Sequence, residues 1–282
     1  MTTFFQFVVV GISTGSVFAI VGMSLVLVYR ATGIVNFAQG VFAVLAGLLT
    51  YSFVQHMPLA LAAMLATLAT ALVATLVAVV AVGFRGRTTH LASLIITVGI
   101  AIFAEAVLLA AFGEVPRSYP AISDRAWEVG GVLIQPQYAV LALVALAAAF
   151  LLTLFLRRTI VGQALVASAD SPRAAELIGL NLRSIAVIAF AVAGALTAVG
   201  GVLLAPTVPV SYSSGLTITI NGFAAAVFGG LVSIRLALLG GYALGVLQQL
   251  VVGYVDSQYS LIIALLVMLV LIGWRSRGEL AV

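Results

Sequence analysis

The chain has 282 residues, of which 64% are apolar and 7% charged, and a mean hydropathy of +1.30; soluble domains run near half apolar and a quarter charged, so a water-soluble globule is excluded. Twelve basic and eight acidic residues give a formal charge of +4. Cysteine is absent, which excludes disulfides and thiolate chemistry, and the two histidines, His56 and His90, are too few and too far apart for the usual zinc spacings.

Apolar stretches of about 20 residues recur, each long enough to cross a hydrocarbon core of roughly 30 Å as a helix. The first, "FFQFVVVGISTGSVFAIVGMSLVLVY", is too long for a signal-peptide core and has no basic leader before it, so it is read as a true span. Further spans follow, giving an expected set at 4–29, 35–55, 58–84, 90–112, 136–156, 184–206, 216–234, 236–255 and 258–274. Transmembrane strands would alternate in segments of about 10 residues. Runs such as "LALAAMLATLATALVATLVAVVAVGF" do not alternate. The expected fold is therefore an all-α polytopic membrane bundle of eight to nine spans, one transmembrane domain over 1–282. Within 207–234, "PTVPVSYSSGLTITINGF" mixes Pro, Gly and Ser into the apolar run. This pattern predicts a broken or re-entrant helix, tolerable only where protein or a wet cavity satisfies its backbone.

All twelve basic residues are arginine. With the N-terminus outside, Arg30, Arg85, Arg87, Arg157, Arg158, Arg173, Arg183, Arg235, Arg275 and Arg277 fall inside, against Arg117 and Arg125 outside. That asymmetry matches the enrichment of positive charge in short cytoplasmic loops. Glu114, Asp124 and Glu128 balance the two external arginines, so the sequence predicts N-out and C-in. The net charge then expresses topology, and no basic patch remains for nucleic acid.

The loop 157–183 holds six of the twenty charged residues. In it Ser171 suits an N-cap, Pro172 the first helical position and Gly179 a left-handed stop. The helix so defined, Pro172 to Ile178, is about 10 Å long. It is too short to be stable alone. It is either a turn of helix against the head groups or a docking element, with Ala174 and Ala175 beside Leu177 and Ile178 as a knob for a groove.

Polar groups within spans are functional candidates by default. Glu105 is the carboxylate well inside a span: a buried acid, neutral or hydrogen-bonded to Ser or Thr on a neighbouring helix, or a group on a pathway or subunit interface. Asn36 and Gln39, three apart, would share a helix face, either lining a mouth or capping and hydrogen-bonding. Glycines at 11, 15, 22, 33, 40 and 47 give small faces for close helix contact. Gly229 and Gly230 would also bend the seventh span. "VNFAQGVFAVLAG" at 35 and "INGFAAAVFGGLVS" at 220, the latter with Asn221, hint at an inverted repeat. A P-loop needs a lysine to reach nucleotide phosphates, and this chain has none. ATP-driven work would need another polypeptide.

Four stretches carry a resemblance to a known family. "GISTGSVFAIVGMSLVLVYRATGIVNFAQGVFAVLAG" (11–47), "ALVASADSPRAAELIGLN" (164–181), "FAAAVFGGLVSI" (223–234) and "IITVGIAIFAEAVLLAAFG" in the fourth span resemble permease subunits of branched-chain amino acid ABC importers. The resemblance implies half of a transmembrane pathway in a bacterial or archaeal cytoplasmic (inner) membrane. Its partners would be a second homologous permease, two cytoplasmic ABC ATPases and an external substrate-binding protein. No cofactor is expected on this chain, with ATP and magnesium on the ATPases. The cargo would be branched-chain or related amino acids, or, as in some relatives, urea or short amides. The loop 157–183 becomes a coupling loop, in which Asp170 and Ser171 hold the helix start at Pro172. Ala174 and Ala175 pack closely, Arg173 and Glu176 form a polar rim, and Gly179 ends the helix. Asn36, Gln39, Glu105, Asn221, Gly229 and Gly230 are the candidate pathway or interface residues. One departure is that Val232 and Leu236 stand where the family has further glycines, at the tight turn near residue 234. An ion-coupled secondary transporter would carry several intramembrane acids or histidines, and one glutamate is a poor endowment.

Overall fold

In lipid, apolar side chains gain nothing by leaving their surroundings, so helices associate through close packing and interhelical hydrogen bonds. The computed structural model describes residues 2–81, 90–123 and 125–279. Arg85, Arg87 and Asp124, which enter the charge count, lie outside them, as do the last three residues of the expected third span. The elements are α1 (Thr2–Thr32), α2 (Gln39–Val54), α3 (Leu59–Ala81), α4 (His90–Phe112), β1 (Trp127–Val129), β2 (Val132–Ile134), α5 (Pro136–Arg158), α6 (Ile160–Asp170), α7 (Pro172–Leu177), α8 (Leu182–Leu204), α9 (Ser214–Phe228), α10 (Ile234–Tyr254) and α11 (Ser260–Glu279). Among the described residues six helices, α1, α3, α4, α5, α8 and α10, are long and apolar enough to cross a membrane.

The packing code is clearest in α3. Ala62, Ala66, Thr70, Ala74, Ala78 and Ala81 recur at a near-constant step of four and are all buried. Leu61, Met64, Leu65, Leu68, Leu72 and Leu76 are exposed. Small residues face the protein and large apolar ones face outward, the reverse of a soluble helix. The stripe lies against α8, where a Cβ on Gly194 would sit 2.2 Å from that of Ala74. The central element, α1, is about 46 Å long by its 31 residues. It packs most extensively on α10, where a Cβ on Gly245 would lie 2.3 Å from Gly15 Cα.

Two helices are shorter than the sequence predicts. The second begins at Gln39 and not at 35, leaving 33–38 non-helical. The seventh covers only Ser214–Phe228, after an irregular stretch at 205–213 that fulfils the expected break. With 16 and 15 residues, they reach about 24 and 23 Å, short of a roughly 30 Å core. Gly229 and Gly230 do not bend this helix; they end it. Gly230 N–H donates to Val227 O at 2.8 Å and Leu231 N–H to Ala226 O at 2.9 Å, a Schellman closure. Without the family's further glycines the turn persists, and Leu231 adopts a φ of +60°, the one positive value on a non-glycine among the described residues. The Ser233 hydroxyl then accepts from Leu236 N–H at 3.3 Å and starts α10.

Two further elements add to the expected set. Gly130 and Gly131, at φ +61° and +79°, join β1 and β2 into an antiparallel hairpin pairing Val129 with Val132, as two positive-φ residues in a two-residue loop should. Gln6 of α1 clamps its edge, its amide donating to Leu133 O and accepting from Leu133 N–H, both at 2.9 Å. Preceding α7, α6 is started by Thr159, whose hydroxyl accepts from Gly162 N–H at 2.9 Å.

Candidate functional site: paired half-helices, a polar cavity and a capped loop helix

The short α2 starts inside the bundle, pinned by polar groups. Gln39 Nε2 donates to Ala193 O at 3.0 Å and Thr197 Oγ1 at 2.6 Å, in the middle turns of the 23-residue α8. Asn36 Nδ2 donates to Gln39 Oε1 at 2.9 Å, while its Oδ1 accepts from Ala38 N–H at 3.1 Å. Phe37 N–H reaches Thr97 Oγ1 of α4 at 3.4 Å. Thr219 Oγ1 of α9 accepts from Gly40 N–H at 2.8 Å and lies 3.1 Å from Phe37 O. The irregular backbone at 33–38 is thus satisfied by protein, as lipid depth demands. Asn36 and Gln39 do meet, but by an Asx turn ahead of the helix and not on a shared helix face. Both are completely buried, so they hold the break and do not line a mouth. Gln39→Leu would strand the Asn36 amide and is expected to cost about 1–3 kcal/mol, read as a lower melting temperature of the detergent-extracted protein.

The two half-helices bring their N-termini together. A Cβ on Gly40 would sit 2.1 Å from Gly215 O, and one on Gly215 would sit 3.3 Å from Glu105 Oε1. Of the two asparagines that the sequence likeness pairs, Asn36 precedes α2 and Asn221 lies inside α9. Glu105 Oε1 is buried and has no hydrogen-bond partner among the described residues, so of the two forms of a buried acid the hydroxyl-bonded one is not what this structure holds. An acidic oxygen beside two converging helix N-termini lies where the helix dipoles favour negative charge.

Asn221, 3% exposed, belongs to a second polar chain. Its Oδ1 accepts from Gln248 Nε2 at 2.7 Å, and Gln248 Oε1 accepts from the Ser260 hydroxyl at 3.3 Å. These residues line a cavity of about 370 Å³ between α1, α9, α10, the start of α11 and the 205–213 segment. That segment is tied down by Arg117, whose backbone exchanges two 2.9 Å hydrogen bonds with Val210 and whose guanidinium lies 5.3 Å over the Tyr51 ring. Beside it the buried Tyr119 hydroxyl donates to Val202 O, and burial pushes its phenol pKa up. Sequence reasoning passed over Thr97, Thr197, Thr219, Gln248 and Ser260, because a lone hydroxyl or amide in an apolar run shows its role only when its partner's position is known.

At the opposite end from the hairpin, α7 forms where the sequence places it. Ser171 Oγ accepts from Ala174 N–H at 3.3 Å, with Pro172 in the first turn. Gly179 N–H donates to Glu176 O and Leu180 N–H to Ala175 O, both at 3.0 Å, with Gly179 at φ +85°. Asp170 ends α6 and takes no part in this cap. Ala175 is 1% exposed, whereas Leu177 and Ile178 are 89% and 74% exposed. The knob offered outward is therefore Leu177 with Ile178, while Ala175 packs within this chain. Arg173, Ala174 and Glu176 are exposed beside them. Between α7 and the end of α1 lies a cleft of about 670 Å³ that holds Arg30, Asp170, Glu176 and Arg183.

Residues 7–272 match the family described as branched-chain amino acid transport system / permease component. The chain is 28% identical over 285 residues to the high-affinity branched-chain amino acid transport system permease protein LivH of Escherichia coli (strain K12), covering 93% of this chain and 91% of that one. It is 27% identical over 299 residues to BraD, the corresponding permease protein of Pseudomonas aeruginosa, covering 98% and 95%. A 109-residue stretch is 35% identical to a probable branched-chain amino acid transport permease protein of Methanocaldococcus jannaschii, covering 39% and 35%. A match across nearly the whole chain, on a bundle of membrane-length helices, leaves one conclusion: this protein belongs to the permease components of branched-chain amino acid transport systems.

Proposed function

We propose that this chain is the transmembrane subunit of an ATP-driven importer that passes branched-chain or related amino acids across the cytoplasmic (inner) membrane by alternating access. The observation that carries the reading is α7, a six-residue helix closed at both ends that turns Leu177 and Ile178 into solvent. An exposed apolar pair at a capped loop helix suits a docking partner, and a chain without lysine lacks the P-loop means of using ATP itself. Two ATPase subunits holding ATP and magnesium would dock there, with no cofactor on this chain. A second homologous permease would complete the pathway and an external binding protein would deliver the cargo.

In this reading α2 with the irregular 33–38, α9 with the irregular 205–213, and α11 cross beside the six longer helices, giving nine passes with the N-terminus and hairpin outside. The arginine asymmetry supports that orientation. The names of the relatives favour amino acids over urea or short amides. Glu105 works at the junction of α2 and α9, where an acidic group near helix N-termini is worth up to about 2 kcal/mol. Glu105→Ala is expected to lower uptake by about tenfold, equivalent to about 1.4 kcal/mol, with the amount of protein in the membrane unchanged. The test of the whole reading is uptake of labelled leucine by proteoliposomes holding this chain with the subunits that co-purify with it. ATP-dependent accumulation is the expected result; urea accumulation without leucine uptake would move the cargo to the amide class.

A further inference from the structure

We infer that the cavity between α1, α9, α10 and the 205–213 segment is the place where this chain binds the transported amino acid. The inference rests on the importer reading above and adds to it a place.

The cavity's volume of about 370 Å³ falls within the usual range of roughly 300–1,000 Å³ for small-molecule sites. Its lining mixes hydroxyls and carboxamides, among them Thr14, Thr217, Asn221 and Gln248, with apolar Phe18 and Val252. No charged residue lines it. Hydroxyls and carboxamides can each donate and accept, so these polar groups can meet both the carboxylate and the ammonium of a zwitterion. A fixed charge would hold one end too tightly, whereas passage requires a site that binds and also releases. The apolar residues have nothing to pair with in urea or a short amide and suit an aliphatic side chain.

Asn221 supplies the most specific observation. It is 97% buried by its 3% exposure, and the Gln248–Ser260 chain fixes its carboxamide through Oδ1. Its Nδ2 forms no hydrogen bond among the described residues, yet it is not among their occluded, unpartnered polar atoms. An oriented amide donor held in a buried residue and left free toward a cavity is a ligand-facing group. The Thr217 hydroxyl, one helical turn away on α9, is likewise without a partner among the described residues and belongs to an exposed residue.

The chain has no cysteine, so Thr217→Cys places a single thiol in it. In right-side-out vesicles containing the complete complex, a membrane-impermeant methanethiosulfonate reagent is applied and modification of this chain is followed with time. Modification is expected from the outer face, slowed severalfold by leucine-loaded binding protein and not by urea at the same concentration. No modification, meaning that lipid or another subunit fills the cavity, or the same rate with and without leucine would overturn the assignment, as would protection by urea equal to that by leucine. Val252→Trp, which fills the cavity, is expected to abolish leucine uptake while the ATPases still co-purify, and unchanged uptake by that variant would also overturn it. Leucine uptake by the unsubstituted complex is measured alongside. Its absence would sink the importer reading itself, whereas uptake with an unprotected thiol would sink only the cavity.

Discussion

Replacing Leu177 and Ile178 together with aspartate is expected to abolish ATP-driven uptake while leaving the chain folded in the membrane. Both side chains project from α7 with 89% and 74% of their surface free, so neither contributes to this chain's own packing. Burying each against a partner would be worth about 1.5–3 kcal/mol, and an aspartate in its place adds an unpaired charge to an interface. A combined loss above about 4 kcal/mol corresponds to roughly a thousandfold weaker association. Uptake, ATPase co-purification and membrane content of the double variant check the three parts of the expectation. Ala175→Trp is a poorer probe of coupling. Ala175 is buried within this chain, so a tryptophan there would displace α7 and confound docking with folding.

The second large effect is on assembly of the bundle. Gly201→Leu is expected to prevent accumulation of folded protein, because a Cβ at that position would lie 2.0 Å from the carbonyl oxygen of Ala43. The obstacle is the backbone of α2, which is itself pinned by Gln39 to α8 and cannot retreat. Overpacking usually costs about 1–3 kcal/mol, and a clash between two helix backbones belongs at or above the top of that range. Gly99→Leu is the matched control. Nothing lies within 4 Å of a Cβ at Gly99, so its effect should stay within about 0.5 kcal/mol. Yield and melting temperature in detergent separate the two variants.

Much of this architecture is legible in the sequence where the signal is local. Pro172 after Ser171, and Gly179 seven residues later, define α7 because caps are made by neighbours in the chain. The Pro, Gly and Ser between 207 and 215 announce a break for the same reason. The hairpin was equally local, with Gly130–Gly131 between short apolar strands, but a membrane reading of the loop draws attention away from it. What the sequence hides is set by distance in the chain. Asn36 and Gln39 look like a helix face until Thr97, Thr197 and Thr219, from three other helices, are seen to hold the backbone around them. Asn221 looks like part of a repeat until Gln248 and Ser260 are found to orient it. Glycine pairs indicate close contact without saying which helices meet, and Gly40 against Gly215 is the pairing that brings two half-helices end to end beside Glu105.

The measurement that bears most directly on the central claim is identification of what this chain holds on to. The tagged chain is extracted gently from its native membrane and its companions are identified by mass spectrometry. Recovery of two P-loop ATPases and a second permease of similar composition is the predicted result, and the Leu177→Asp/Ile178→Asp variant should lose the ATPases. Recovery of this chain alone, from preparations in which another ABC complex survives intact, would contradict the account.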